Sequence, residues 1–494
     1  MKRTHFLLML TLVTTALVPH GESRAAAADF TIFLPYVAKN SSLGSLPGTG
    51  GSGIQVQNLD PTQDAQIVGA FYSQAGGASV TISRPNVAAG TAANFYLPAE
   101  VRPDGTYAAI ITSDRPIAAI VRTDWYSGGD AAIYSNAIAG NEVAVPLVAK
   151  GYGGQSSLVS IQNTDAMRSR SVSVAFYRSG STQALVNTTK TIGPGTSVTL
   201  DMDKDPDFTK VPYGTLGSMV VKNPDAPVAV QAFMDILSGK GIYAYEGAPG
   251  DRAATRLYAP LIRNDLAGTS GISVVNPGDQ SVQVTVTYIG SPLTPGCAGQ
   301  WQHGNSSFTI AAKGNAVFYQ GNIAGLPTGD SGLPKKCFGA AVIEATGGKV
   351  LAIVNDADVT KTVNSPGTGT SAAYNAFADI DGSRKVALPL FRNKHAGLDL
   401  STGIQVMNIG TTPAKVVITF KNSNGQNVPI GAAAQQTIAP RSTYLWLPPY
   451  INGLPVNIYG SASLESDQPI VVVVNDASGN GKMDAAIYSG IKAD

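Results

Sequence analysis

The chain of 494 residues is poor in the side chains that most chemistry needs: two cysteines, four histidines and only 14% charged residues. Each scarcity removes a class of function. The 34 basic and 33 acidic residues nearly cancel and form no basic cluster, so there is no electrostatic footprint for nucleic acid. Two of the histidines, His5 and His20, fall near the start, leaving His303 and His395. With so few histidines and cysteines, a zinc site of His and Cys ligands is not expected. Also missing beyond the first thirty or so positions is any apolar stretch of helical length and period, because Gly, Pro and β-branched residues interrupt every candidate. No phosphate-cradling glycine loop leading from a strand into a helix is therefore expected either.

What the chain has instead is 54 Gly, 30 Pro and 44% hydrophobic residues, the composition of a turn-rich protein with enough apolar surface to fill cores. Those residues recur in order. Four times an apolar stretch runs through a proline: Phe33-Leu34-Pro35-Tyr36-Val37, Val145-Pro146-Leu147-Val148, Ala259-Pro260-Leu261-Ile262 and Leu388-Pro389-Leu390-Phe391. After each comes an alternating run closed by an asparagine, at Asn58, Asn163, Asn276 and Asn408. Alternation of period two marks a half-buried strand, and the Asn suits the turn that follows. Aromatic and β-branched strands, Gly-rich turns and a strongly apolar strand such as Ile470-Val471-Val472-Val473-Val474 complete each copy. Roughly seven short strands per copy, with turn signals about every 8 to 12 residues, predict a two-sheet sandwich. The expected fold is all-β: four tandem β-sandwich domains at 29–140, 141–254, 255–383 and 384–494, each long enough for its own core.

Residues 1–28 have the form of a secretory signal peptide, with Lys2 and Arg3 ahead of an apolar stretch from Phe6 to Val18 and a small-residue cleavage region at Ala25 to Ala28. That stretch is shorter than the ~20 residues a spanning helix needs. The expectation is an exported chain with no membrane span after cleavage. Leu46-Pro47-Gly48-Thr49-Gly50 is similar to a sortase sorting signal but lacks the apolar and basic tail, and reads better as a Gly-rich loop. Cys297 and Cys337 both fall in the third, longest unit, within stretches the other units lack. In an exported chain they are expected to form one disulfide stapling these insertions.

Candidate chemistry is sparse. Gly329-Asp330-Ser331-Gly332 is similar to the nucleophile loop of trypsin-like proteases, but the base histidine and orienting aspartate such a loop needs have no matching motif upstream. Asp201, Asp203, Asp205 and Asp207 alternate as at the start of a calcium loop, yet Pro206 and Pro212 stand where Gly and Glu are required, so a solvated loop is the better reading. Asp124, Asp235, Asp356 and Asp476 each end the most apolar strand of their unit. In the first and last units Asp130 and Asp484 follow, so Asp124, Asp130, Asp476 and Asp484 are the calcium candidates, against a simpler role in starting turns. No other cofactor and no catalytic residue is expected. Aligning Leu445 and Leu447 with Phe95 and Leu97 places them in the core and turns Tyr444 and Trp446 outward, either covered by the loop from Pro449 to Asn457 or by the adjacent domain, or left as a surface for a sugar or a protein partner.

The Asn-ended strands, the run Thr-Ile-Gly-Pro-Gly-Thr-Ser-Val-Thr-Leu at 191–200, and Ser-Asp-Arg-Pro-Ile or Ser-Asp-Gln-Pro-Ile at 113–117 and 466–470 resemble secreted bacterial surface proteins built of tandem immunoglobulin-like repeats. The resemblance implies a non-enzymatic structural or adhesive role at the cell surface or in the matrix. It carries no functional residues with it. A carbohydrate- or peptide-binding module is the alternative, and a secreted hydrolase stands third. The proline strand at the start of each unit is expected to rest on the preceding domain. Its first copy, Ile32 to Val37, would then have nothing in its own chain to pack on and would be free to pair with a second molecule or another surface partner.

Overall fold

The computed structural model describes residues 30–493 except 102, 126, 128–129, 237–240, 267, 303–306, 321–331, 358–370, 398 and 479–484. The chain is nearly all β, in antiparallel sheets that pair off into sandwich-like layers. Among residues 30–140, one sheet runs in the order Phe30–Lys39, Gly105–Ser113, Ala65–Ser73, Val80–Val87, and a second in the order Ala92–Tyr96, Gly50–Asn58, Ile117–Trp125, Asp130–Ser135. Apolar residues from both sheets, among them Leu34, Ile54, Phe71, Phe95 and Ile111, share one buried cluster. The second sheet has counterparts later in the chain. Ser197–Asp201, Gln155–Asn163, Val228–Ile236 and Gly241–Glu246 lie in one sheet, and Asn315–Tyr319, Thr269–Val275, Leu351–Ala357 and Ser371–Asn375 in another. In the last unit the 21-residue strand Ile458–Ser478 passes from one layer to the other, pairing first with Ser383–Asn393 and Ala414–Asn422 and then with Leu400–Asn408 and Ala486–Ser489.

The prolines explain the shape of the opening strands, Phe30–Lys39, Glu142–Lys150, Arg256–Asn264 and Ser383–Asn393. Proline has no N–H to give to a ladder. In each case the pairing register breaks at the proline, between Leu34 and Val37, Val145 and Val148, Ala259 and Ile262, and Leu388 and Phe391. The bulge takes carbonyls out of the ladder, and a buried carbonyl needs a donor from elsewhere. One donor comes from the same unit. The hydroxyls of Tyr134, Tyr245, Tyr374 and Tyr488 donate to the carbonyls of Tyr36, Leu147, Leu261 and Leu390, the residues that follow the four prolines. Another comes from the next unit: Ser160 Oγ donates to the Pro35 carbonyl at 2.8 Å, and Ser273 Oγ to the Pro146 carbonyl at 3.0 Å.

Each opening strand therefore packs on the following unit, not on the preceding one. Phe30–Lys39 lies against Gln155–Asn163 and Val228–Ile236; Glu142–Lys150 lies against Thr269–Val275 and Leu351–Ala357; Arg256–Asn264 lies against Leu400–Asn408 and Ile458–Ser478. The fourth, Ser383–Asn393, lies against Gly50–Asn58 and Ile117–Trp125 of the first unit. The succession closes into a ring. Buried clusters cross every seam in the same sense: Phe233 and Ile242 join the core of the first unit, Val317 and Ile353 that of the second, Met407 and Val473 that of the third, and Ile120 and Ile133 that of the fourth. Tyr36, within the Ile32 to Val37 strand expected to be free for an outside partner, meets Phe233 edge to face with centroids 4.8 Å apart. Sequence order alone could not reveal this, because the contact that uses the last opening strand joins the two ends of the chain.

Cys297 and Cys337 are bonded, with Cα atoms 5.5 Å apart across a separation of 40 residues, and both are buried in the core of the third unit. The regular asparagines Asn58, Asn163, Asn276 and Asn408 act as expected at strand ends. Each donates to carbonyls of the neighbouring turn and accepts the backbone N–H two residues on.

Two outcomes follow for stability. Replacing both cysteines by serine should cost about 4 kcal/mol by the chain-entropy account, measured by denaturant unfolding of oxidised protein. Tyr134→Phe leaves the bulged Tyr36 carbonyl without its donor and should cost about 1–3 kcal/mol, with Tyr245→Phe behaving alike.

Candidate functional site

The four short closing strands, Asp130–Ser135, Gly241–Glu246, Ser371–Asn375 and Ala486–Ser489, meet where the units converge. Each touches the next, and the last touches the first. Alternation divides their side chains. The tyrosines point into their own unit, while Ile133, Ile242, Ala373 and Ile487 pack into the neighbour's core. In phase with this second set, the strands end at Ser135, Glu246, Asn375 and Ser489. Three of these are neutral. The fourth is a glutamate only 8% exposed.

These four residues join the units by polar contacts of side chain and backbone. The Ser135 N–H donates to Glu246 Oε1 at 2.5 Å, and Asn375 Nδ2 donates to the Glu246 carbonyl at 2.9 Å and to Oε2 at 3.3 Å. The Ser489 N–H donates to Ser135 Oγ at 3.1 Å, closing the circuit between the ends of the chain. Beside them opens a cavity of ≈ 340 Å³ lined by Ser135, Asn136, Glu246, Asn375 and Ser489, with Leu351, Phe377 and Ile380 among its apolar lining and Arg252, Asp381 and Lys492 as its other charged groups. Burial pushes the Glu246 carboxyl up from 4.5 to about 7, opposed by its hydrogen bonds to the backbone and to Ser135. Arg252 does not neutralise it, being turned to Asp381 at 3.0 Å.

The aspartates that end the apolar strands are held quite differently. Asp476, fully buried, receives Arg122 Nη1 at 2.7 Å and Arg392 Nη1 at 2.6 Å, so one carboxylate binds guanidiniums of the first and fourth units. Arg122 also reaches Asp124 at 2.7 Å. Asp356 is paired with Arg263, and Asp235 accepts the N–H and Oγ of Ser45 from the first unit at 2.5 and 2.9 Å. These partners tie the strand end to side chains and to a neighbouring unit, which differs from the turn-starting role suggested by the sequence. Asp130 lies near Asp235, and burial with that like charge raises its carboxyl to about 6. Asp484 lies outside the described residues, and no grouping of three or more metal-ligating side chains occurs among those that are described.

Trp446 is not a surface platform. It is 2% exposed, donates Nε1–H to the Ala433 carbonyl at 2.8 Å, and packs against Tyr444 edge to face at 4.7 Å. The physical reason is phase. Trp446 pairs with Ile404 as Phe95 pairs with Ile54 and Phe318 with Ile272, so Trp446 and not Leu445 is the equivalent of Phe95. A slip of one residue reverses which side chains face the core. In the alternating-aspartate loop, Lys190 Nζ bridges Asp205 and Asp207 at 3.0 and 2.8 Å, and Asp205 caps a short 3-10 turn. Gly329 to Ser331 and His303 lie outside the described residues. Glu246 was passed over in the sequence, although one signal was present: in the four aligned closing strands it is the one ionisable residue at its position.

No protein-family model matches the chain, and no curated protein matches it. Among solved structures, similarity is found to Thermotoga maritima 1070, at 22% identity over 23% of this chain and 96% of that chain with a TM-score of 0.20. It is found also to the Anabaena sensory rhodopsin transducer, at 23% identity over 18% of this chain and 92% of that chain with a TM-score of 0.15. A glycoside hydrolase of family 32 from Bifidobacterium adolescentis aligns over 91% of this chain and 99% of its own, at 7% identity and a TM-score of 0.14. At these scores none bears on function.

A buried carboxyl whose pKa is raised stabilises the fold below its unfolded value and ceases to do so as pH rises through the folded one. Between about pH 4.5 and 7 the native chain should therefore lose on the order of 3 kcal/mol that the Glu246→Gln variant keeps, read as the difference between their unfolding curves across that range. At the other end of the seam, Arg122→Met removes one of two guanidiniums from the buried Asp476 and should cost about 2–3 kcal/mol by the same measurement.

Proposed function

We propose that the chain is a non-enzymatic, exported structural or adhesive protein of the cell surface or matrix, built as four tandem immunoglobulin-like sandwiches joined in one ring. The observation that carries this reading is the ring closure. Every opening strand and every closing strand is used on a neighbouring unit of the same chain, so a second copy is not needed to complete any core. The outer strands Val80–Val87 and Ala184–Ile192 and the turns beside them remain in contact with solvent. Four sandwiches and their loops joined in one ring suit the display of many weak contacts to a surface, where joined sites gain through effective concentration. The buried charged seams fit the same reading. Their carboxylates are occupied by arginine and serine, which gives rigidity at the junctions instead of a reactive pair.

A second reading, a secreted binding module for a small ligand or peptide, is favoured by the central cavity. Glycan or protein partners at the outer surface remain part of the first reading, without Trp446 as their platform. The first opening strand is not left free for a partner, since Leu34, Tyr36 and Val37 are buried by the chain itself.

The test is to fractionate cells producing the chain and to sediment the purified protein. The expected result is a chain lacking residues 1–28 in the medium or envelope, monomeric over a wide concentration range, whose addition to cells of the same source gives saturable retention. Cytoplasmic retention of the uncleaved chain, or an absence of any retention by cells, would overturn the proposal. Chain growth with concentration would show instead that a surface outside the ring seams self-associates.

A further inference from the structure

We propose that the cavity at the ring centre binds a small organic ammonium ion with an apolar body, with Glu246 as its counter-ion and the amide oxygens of Asn136 and Asn375 as further acceptors. The argument begins with what is unpaired. The Glu246 carboxylate lines the cavity, is almost wholly buried, and has no cationic partner among the described residues. Two other buried carboxylates of the seams, Asp356 and Asp476, have a guanidinium on them, and Asp235 is held by the N–H and hydroxyl of Ser45. An unpaired buried charge is costly, and a cationic ligand would relieve that cost where no side chain does.

The neighbouring amides point the same way. Asn375 uses its N–H2 on Glu246, which fixes its orientation and leaves Oδ1 buried without a donor. Asn136 Oδ1 is likewise buried without a donor, and it lines the same cavity. A primary ammonium offers three N–H donors and no acceptor, so a carboxylate and two amide oxygens are a complement it can satisfy. An anionic ligand would face two amide oxygens and Glu246 as well. The walls contributed by Leu351, Phe377 and Ile380 suit an apolar body, and ≈ 340 Å³ falls within the range of small-molecule sites.

The site exists only because the ring is closed. Its polar floor draws Ser135 and Asn136 from the first unit, Glu246 from the second, Asn375 from the third and Ser489 from the fourth. No single sandwich contains it. Since the four equivalent positions are Ser, Glu, Asn and Ser, one charge is placed in a near-fourfold setting, and the cavity takes a single cation in place of four equivalent ligands.

Titration calorimetry and thermal shift on the full mature chain, with benzylamine as probe and benzyl alcohol and benzoate as matched neutral and anionic controls, test this. Benzylamine should bind saturably to one site with a Kd on the order of 0.1–1 mM at about pH 8, and the controls at least about tenfold more weakly. Affinity should fall as pH drops below about 7, where Glu246 takes up a proton; Arg252, Asp381 and Lys492 are the other charged groups lining the cavity. Glu246→Gln should weaken benzylamine by about tenfold or more with an unchanged circular dichroism spectrum. Should that variant fail to fold, Ile380→Trp, at a position 64% exposed on the cavity's edge, should weaken binding in a folded chain by narrowing the entrance. Absence of saturable benzylamine binding up to about 10 mM, equal binding of the three probes, or wild-type affinity in whichever variants fold, would overturn the assignment. Binding by a chain that never leaves the cytoplasm would sink the adhesive role and leave this site standing.

Discussion

The constraint on which the rest depends is a proline that cannot donate in a strand that must nevertheless be buried. At Pro35, Pro146, Pro260 and Pro389 the ladder breaks, and the bulge presents carbonyls to the interior. A tyrosine hydroxyl from the closing strand meets the carbonyl after each proline, which ties the first strand of a unit to its last. In the first two seams the proline carbonyl itself is met by a serine of the next unit. Local backbone chemistry and the assembly of the units are thus one problem with one solution. Burying those carbonyls without donors would cost on the order of 1–3 kcal/mol apiece, so a unit whose neighbour was missing would expose or strain the same strand.

Closure then converts a repeated sequence into a place that is not repeated. Strands that are equivalent along the chain become neighbours around a centre, and small differences among them accumulate there. Three of the converging positions are neutral and hydrogen-bonded, while Glu246 brings a charge whose cost is borne by packing elsewhere. The Asp476 seam shows the contrasting treatment, with a fully buried carboxylate made tolerable by guanidiniums from two units. One buried acid is locked and structural; the other is left with capacity for a partner.

Much of the fold was legible in the residues. Period-two alternation, the prolines, the terminal asparagines and the turn glycines are local signals, and they located the strands and the all-β character well. The cysteines paired because two thiols in insertions of one unit had no other partner. The phase of Tyr444 and Trp446 was misjudged because an apolar residue occupies three consecutive positions, Leu445, Trp446 and Leu447, and alternation alone does not choose between the registers. The cross-strand pair with Ile404 makes that choice. Asp124, Asp235, Asp356 and Asp476 were recognised as a recurring set; Arg122 stands beside Asp124 on one strand, but the bonds of Asp235, Asp356 and Asp476 to Ser45, Arg263, Arg392 and Arg122 come from other strands or units, beyond the reach of a motif.

By itself, then, the sequence determined the type of each element, the spacing of the copies and the positions where the backbone must bulge, because these follow from side-chain sterics and hydrogen-bond capacity within a few residues. Tertiary structure decided the direction in which each opening strand packs, the contact between the first and last units, and the gathering of Ser135, Glu246, Asn375 and Ser489 at one centre. Those outcomes depend on apolar surfaces and polar partners separated by a hundred residues or more, such as Ser135 and Ser489, 354 positions apart. Only the closed arrangement satisfies them together.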